Sequence, residues 1–431
     1  MRDFPRLTLV ERDRSGRIFF NERASLASGK DHAHAFPSLR WRGVRRIFVA
    51  ATGLWWGLQP ASAEQTAPSP QHFLQKVFTA KDYPDTWFAP VFLSKVSPTE
   101  LHDVIDQLKK KYGSFEGVEL SSGRYYVHLA DAMVPIEIGV DANGRVFDLR
   151  AKTPIRKYAD FDAALTSLSD LPGDVSMLVL QNGRERTSLK PDTALAVGSA
   201  YKIAVMNALV DQVKSGKRSW AQVIALTDDN RALPTGILQN WPAGMQLTLE
   251  SLAGLMISLS DNTAADTLIH VVGRDAVEAV APTVRPFLTS REAMILKAPA
   301  NTALRERYAE GDLATRRQIL AEVDTLPLPT AAEIVHVYSP NAEWRLSVRQ
   351  LCDLIAPVAD QPAMQINPGV AIAEQWARVS FKGGGDFGVV NLTTELTADD
   401  GTTWCAAVTW NNPKGLREDV LFPIYGARCS C

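Results

Sequence analysis

The chain lacks most of the features that mark a specialised protein class. Its 431 residues include only four cysteines, none in a Cys-x-x-Cys pair, which leaves no cysteine metal site to consider. Neither sign of charge is in excess. There are 46 Lys and Arg against 48 Asp and Glu, a net of −2, and basic residues form no long run beyond position 46, so nucleic acid is not an expected partner. Long apolar runs are missing too: the candidate at residues 47–58 is 12 residues long, whereas a spanning helix needs about 20, so no stable membrane span is expected. There is no internal repeat and no low-complexity tract. With 46% hydrophobic and 22% charged residues, 27 Gly and 25 Pro, the composition excludes collagen, coiled coil and wholesale disorder. What remains is a globular chain with material for two or three cores.

The first 63 residues differ in kind, with 11 basic and 5 acidic side chains. Arg40, Arg42, Arg45 and Arg46 precede the short apolar run, and Ala61-Ser62-Ala63 follows it, which is the layout of an export signal cleaved after Ala63. Residues 1–39 are polar and aperiodic and lie upstream of any ordinary signal. The expected mature chain is 368 residues with a net charge of about −8, delivered to the periplasm or secreted. Export would permit disulfides. Cys352, Cys405, Cys429 and Cys431 all lie in the last fifth of the chain. Cys429 or Cys431 could pair with Cys405 or Cys352, or the thiols could stay free; spacing alone leaves this open.

Residues 64–165 read as an α+β domain of helices plus an antiparallel sheet. Ser97-Pro98-Thr99-Glu100 is a capping box with Pro at the first helical position, opening an amphipathic helix to about Tyr112. Strands are expected at 115–120, 124–129 and 134–140, then a turn at 141–144 and a strand at 146–149. Phe73, Val77, Phe78, Trp87, Phe88, Val91, Phe92 and Leu108 are its candidate core. Residues 166–431 read as an α/β domain. A hairpin near Gln181-Asn182-Gly183-Arg184 is followed by helical patterns at 200–214, 220–226, 249–258, 263–272 and 346–356, then strands at 379–382, 389–397 and 403–410. An antiparallel sheet built from both ends of the domain and flanked by helices is the expected result.

Three motifs in this second domain carry chemistry: Ser199-Ala200-Tyr201-Lys202, Ser260-Asp261-Asn262 and Lys382-Gly383-Gly384. Each also has a plain reading. Ser199 could be a helix N-cap, and residues 260–262 could simply cap the next helix. In favour of chemistry, Lys202 lies one helical turn after Ser199 on the same face, where its amine can reach the hydroxyl. A serine is a weak nucleophile until a neighbour takes its proton, and a desolvated lysine can do so. A helix N-terminus also offers N–H groups to a developing oxyanion. Lys382 lies on a strand that runs into Gly383, Gly384 and Gly385, where a substrate can approach the backbone closely. Phe381 is placed either against a substrate ring or in the core. His270 and His336 have no metal-ligand spacing.

In order and context these motifs resemble those of class A β-lactamases and penicillin-binding proteins, from about residue 170 to 425. The resemblance implies that Ser199 is acylated, Lys202 accepts its proton, Ser260 protonates the leaving nitrogen and Asn262 holds a substrate amide. It also implies that Lys382 attracts a carboxylate and that the N–H groups of Ser199 and Gly385 form the oxyanion hole. The sequence departs from the pattern twice. The third motif reads Lys-Gly-Gly, so the usual hydroxyl is missing at Gly383. No Glu in 263–381 has an Asn four residues later, the context of the deacylating base. Glu292, Glu306, Glu310 and Asp312 are the nearby carboxylates, although charges in 302–320 fit a solvated helix face.

These departures, together with the preceding α+β domain, look like the lactamase-like proteins of clavulanic-acid gene clusters, which pair a steroid-isomerase-like fold with a class A-like domain. For the first domain that likeness suggests an acid/base pair among His102, His128, Asp103 and Asp131, against the plainer reading of a packing module. The whole reading is an exported serine acyl hydrolase with slow deacylation, acting on a small β-lactam or ester, with no metal or cofactor implied. A cell-wall D-alanyl peptidase or esterase, or a non-hydrolytic binder of β-lactams or cell-wall fragments, are the alternatives. Oligomeric state is left open.

Overall fold

A computed structural model describes residues 11–12, 18–19, 69–121, 124–152, 154–334 and 337–429, without the side chains of 11–12, 18–19 and 427–429. The export segment with Ala63, His336 and Cys431 lie outside the described residues. Two units are distinguished: Met1–Ala130 with Val134–Lys152, and Asp131–Met133 with Thr153–Cys431.

In the first unit, Ser69 caps α1 (Pro70–Thr79), and the Ser97/Glu100 capping box opens α2 (Pro98–Tyr112). Along α2 the buried residues are Leu101, Ile105, Leu108 and Tyr112, three to four apart, which is one helix face. An antiparallel sheet follows in chain order: β1 (Phe115–Ser121), β2 (Arg124–Leu129), β3 (Ala132–Val140) and β4 (Val146–Ala151). Phe73, Val77, Phe78, Phe88, Phe92 and Leu108 are buried as expected, but Val91 is 40% exposed. It occupies the single helical turn Pro90–Leu93, which directs Phe92 inward and leaves its neighbour on the outside. Trp87 is half-buried and stacks on Tyr83. The suggested acid/base groups do not gather. His128 pairs with Glu119 at 2.9 Å, His102 stands 3.4 Å from Asp106, and Asp103 is exposed.

The second unit begins before the expected boundary, so α3 (Phe161–Ser169), which a break at 165/166 would cut, belongs to it. Its five-stranded antiparallel sheet runs β7-β8-β9-β5-β6, with β5 (Asp174–Gln181), β6 (Arg184–Leu189), β7 (Arg378–Asp386), β8 (Val389–Thr397) and β9 (Thr403–Asn411). Both ends of the unit thus meet in one sheet, and β7 is its edge. Alternation assigns the faces. Val175, Met177 and Val179 join Ala164, Leu168, Trp410 and Tyr425 in one core, whereas Leu178 faces the helical core on the other side. That helical core includes α4 (Lys202–Lys214), α5 (Leu249–Ser258), α6 (Asn262–Val272), α7 (Ser290–Lys297) and α8 (Val348–Ile355). From Ile203 to Val210 every residue of α4 is buried, which makes it the central helix.

The sequence reading needs correction at 220–226. That stretch forms a strand, Val223–Ala225, paired with Gln246–Thr248, because its β-branched pair finds a ladder partner too distant in sequence for a local pattern to show. The charged stretch after residue 302 is two helices, Thr302–Glu310 and Leu313–Val323, separated at Gly311. Cys352 on α8 is joined to Cys405 on β9, with Cα atoms 5.9 Å apart, so the disulfide ties the helical layer to the sheet. Among the described residues, no helix is long and apolar enough to cross a membrane.

Candidate active site

The three motifs converge. Ser199 stands in the short turn Gly198–Tyr201 that leads directly into α4. Lys202, fully buried at the first position of α4, places Nζ 3.2 Å from Ser199 Oγ, 3.1 Å from Ser260 Oγ, and 2.6 Å from both the Ser260 carbonyl and Asn262 Oδ1. The Asn262 Nδ2 donates to the Leu233 carbonyl at 2.6 Å, which leaves Oδ1 for the lysine. Two acceptors that cannot donate therefore take two lysine hydrogens. The third position on the nitrogen faces the hydroxyls. In the neutral amine that position is a lone pair with both the Ser199 and Ser260 hydroxyls in reach. Burial favours this form: desolvation first, and the Lys382 charge second, hold Lys202 well below the ordinary lysine range.

Ser260 bridges the two lysines. Its hydroxyl lies 3.1 Å from Lys202 Nζ and 3.1 Å from Lys382 Nζ. The backbone that presents it is left-handed, φ 55°, a conformation a serine adopts only when its surroundings compel it. Several bonds do so. The Ser260 carbonyl accepts from Lys202 and from Thr235 Oγ1 at 2.7 Å, and Asn262 N donates to Thr235 O at 3.1 Å. Asp261, wholly buried, caps α6 through Ala264 N and accepts from Ile237 N and Leu238 N at 2.7 and 2.9 Å. The loop at 233–238 therefore holds the motif in place. Sequence reasoning overlooked it; the Leu233-Pro234-Thr235-Gly236 turn was its only signal.

Lys382 is 4% exposed, and desolvation pushes its pKa down to about 7. Its Nζ also donates to the Gly383 carbonyl at 2.6 Å. The glycines after it have a packing reason. A Cβ at Gly384 would lie 2.0 Å from Val197 O and 2.8 Å from Ser199 N, so the strand approaches the Ser199 turn as closely as backbone allows. On the turn side, a Cβ at Gly198 would lie 2.9 Å from Gly385 N. Phe381 does not face a substrate. Strand alternation sends it to the opposite face from Lys382, where it is 8% exposed in the core with Val379 and Trp410. Its ring tip would stand 2.9 Å from a Cβ at Gly383, so the phenylalanine occupies the space a threonine there would need.

Of the carboxylates suggested as bases, Glu292 and Asp312 are engaged by other partners. Glu292 is buried, closes a capping box with Thr289 and pairs with Arg274 at 2.6 Å. Asp312 caps its own helix, and Glu306 and Glu310 are exposed. Asp266 was not anticipated. Buried on α6, it accepts from Ser290 N and Arg291 N at 2.7 and 2.8 Å, and desolvation raises its pKa to about 6. Ser290 Oγ in turn meets Tyr201 Oη at 2.6 Å. Among the described residues no carboxylate hydrogen-bonds Ser199 or Lys202, and no group of three or more His, Cys, Asp or Glu could hold a metal. His270 turns its Nδ1 to the Asp266 carbonyl of its own helix.

Residues 160–284 match the model of the β-lactamase enzyme family. That segment holds the first two motifs, and Lys382-Gly383-Gly384 lies beyond it. No curated protein matches the chain. Among solved structures, a β-lactamase from Sphaerobacter thermophilus is similar at 25% identity with a TM-score of 0.40, covering 62% of this chain and 94% of that one. PBP-A is similar at 16% identity and TM-score 0.41, covering 62% and 94%. A β-lactamase from Francisella tularensis is similar at 12% identity and TM-score 0.44, covering 62% and 96%. Within the second unit, residues 160–284 are thus similar to the β-lactamase enzyme family.

Proposed function

We propose that the chain is an exported serine acyl hydrolase that is acylated at Ser199 by a β-lactam or ester and releases the acyl group slowly. The observation that carries this reading is the Lys202 amine. Two fixed acceptors take its hydrogens, and its remaining position faces the Ser199 and Ser260 hydroxyls. Neutral Lys202 takes the Ser199 proton while Oγ bonds to the substrate carbonyl carbon, and the N–H groups of Ser199 and Gly385 receive the oxyanion. The carbon–nitrogen or carbon–oxygen bond then breaks. Ser260, in reach of both lysines, gives its proton to the leaving atom and regains one from Lys202. Lys382 draws in a substrate carboxylate, and Asn262 steadies Lys202 and a substrate amide. Release is slow because the carboxylates near the site are already engaged by other partners.

Intact-mass spectrometry of residues 64–431, with benzylpenicillin and with a chromogenic cephalosporin, tests the reading against Ser199→Ala. A persistent adduct on the wild type that the variant lacks is the expected result. Rapid product without an adduct would mean that water is activated after all. Neither adduct nor product over hours would overturn acylation and leave the binding reading.

A further inference from the structure

One buried ionic cluster has no part in the chemistry above. Lys297, the last residue of α7, is completely buried and pairs with Glu343 at 2.8 Å and with Asp386. The Glu343 side chain is 1% exposed and its second oxygen, Oε2, has no partner among the described residues; the Asp386 side chain is 20% exposed. Taking an ammonium and two carboxylates out of water costs several kcal/mol per ion, and apolar residues of similar volume hold a fold together at least as well. Stability is therefore a poor account of the cluster. Its position is a better one.

Each carboxylate adjoins one wall of the candidate oxyanion pocket. Asp386 directly follows Gly385 at the end of β7 and also accepts from Phe387 N at 2.7 Å. Glu343 directly precedes Trp344, whose carbonyl accepts from Val197 N at 3.1 Å, two residues before Ser199. The next residues continue that support, since Arg345 and Leu346 pair with Ala196 and Leu195. Trp344 also stacks on Tyr201, beside Lys202, with ring centroids 3.7 Å apart. The segment entering the nucleophile turn and the strand end carrying Gly385 are thus held by one buried ammonium.

We propose that the Lys297–Glu343–Asp386 bridge is a positioning device that sets the spacing between the Ser199 turn and the Gly385 N–H. It rests on the acylation chemistry proposed for Ser199. None of the three side chains touches the reacting atoms. The bridge acts on the limiting acylation rate and leaves initial substrate capture alone, because the oxyanion exists only after attack has begun. A misplacement of about 1 Å at such a site costs up to about a hundredfold in rate.

Asp386→Asn is the discriminating variant, since it removes one partly exposed charge and strands neither Lys297 nor Glu343. Stopped-flow acylation by a chromogenic cephalosporin should show a limiting rate about tenfold or more below wild type, with half-saturation changed less than about twofold. Asp386→Glu should recover part of the loss. Hydrogen–deuterium exchange should rise in peptides covering 196–200 and 383–387 and not across the whole unit. An acylation rate within about twofold of wild type with unchanged exchange there would overturn the proposal, as would a general fall in melting temperature with unchanged acylation at 25 °C. A wild type that is never acylated would overturn the serine chemistry instead, and the exchange arm would still decide whether the bridge holds the two walls.

Discussion

Replacing Lys382 by Met should move the pH dependence of Ser199 acylation as well as its size. On the proposed chemistry Lys202 accepts the Ser199 proton only as the free amine, so the acid limb of the rate follows the titration of Lys202. Desolvation first, and then the Lys382 ammonium, keep that lysine uncharged. Each Nζ lies 3.1 Å from Ser260 Oγ, so the two nitrogens are separated by no more than twice that distance. At roughly 6 Å and an effective dielectric of about 20, two unit charges repel by about 3 kcal/mol. At about 1.4 kcal/mol for each pH unit, this repulsion accounts for up to about two units of the limb's position. Below about pH 7 Lys382 carries its charge, and there the repulsion operates. Removing the charge makes Lys202 easier to protonate, so the acid limb moves to higher pH.

The assay is the burst of p-nitrophenol from p-nitrophenyl acetate, a neutral ester with no carboxylate for Lys382 to anchor. Loss of the anchor therefore does not enter the measurement. Lys382→Arg keeps a cation in place and should keep the acid limb close to wild type even where the rate falls. A limb that stays put in Lys382→Met, or moves to lower pH, would refute the electrostatic coupling of the two lysines.

Four further outcomes follow from the same geometry. Lys382 is held below its unfolded-state pKa, so between about pH 7 and 10 the unfolded chain binds the extra proton and stability rises with pH by about 1 kcal/mol per unit; urea unfolding of Lys382→Met should lack this contribution. Ser260→Gly should unfold at higher denaturant than Ser260→Ala, by about 1 kcal/mol, because only glycine relieves the left-handed backbone, while both variants lose acylation. Gly383→Thr should cost about 1–3 kcal/mol by thermal unfolding because its Cβ meets the Phe381 ring, and Phe381→Leu in the same chain should recover part of that cost. Reducing Cys352–Cys405, or replacing both by Ala, reopens a link across 53 positions, and chemical denaturation should show a loss of about 2–4 kcal/mol.

The sheet of the second unit was readable because its strands are long and their turns carry Asn-Gly or glycine signals. The expected strands at 389–397 and 403–410 correspond to Val389–Thr397 and Thr403–Asn411. The site motifs were readable as residue types in order. What holds them was not. Thr235, Asp266 and Trp344 act through contacts with residues 24 or more positions away, and no periodicity marks such partners. The strand at 223–225 is not legible in the sequence because three residues are too few for the helix and strand periods to be told apart. Phe381 was ambiguous in sequence because alternation gives two faces without saying which one meets the cleft; only Lys382 beside Ser260 settles that.

The local chemistry around Ser199 is unequal in its two halves. Everything needed to take a proton from the serine is present at hydrogen-bond distance: an amine with its other hydrogens already assigned, a bridging hydroxyl and a second buried lysine. A carboxylate that could take a proton from water would need a lone pair free of other donors. Asp261 accepts from three backbone N–H groups, Asp266 from two, and Glu292 from Arg274 and the Thr289 N–H. Those bonds are also what place the Ser260 turn and α7, so freeing a carboxylate for deacylation would loosen the acylating half. On the proposed chemistry, the same hydrogen bonds that build the nucleophile's surroundings make the acyl-enzyme persistent. A glutamate introduced to activate water therefore has to come from a position that caps nothing, a condition that Glu292 fails.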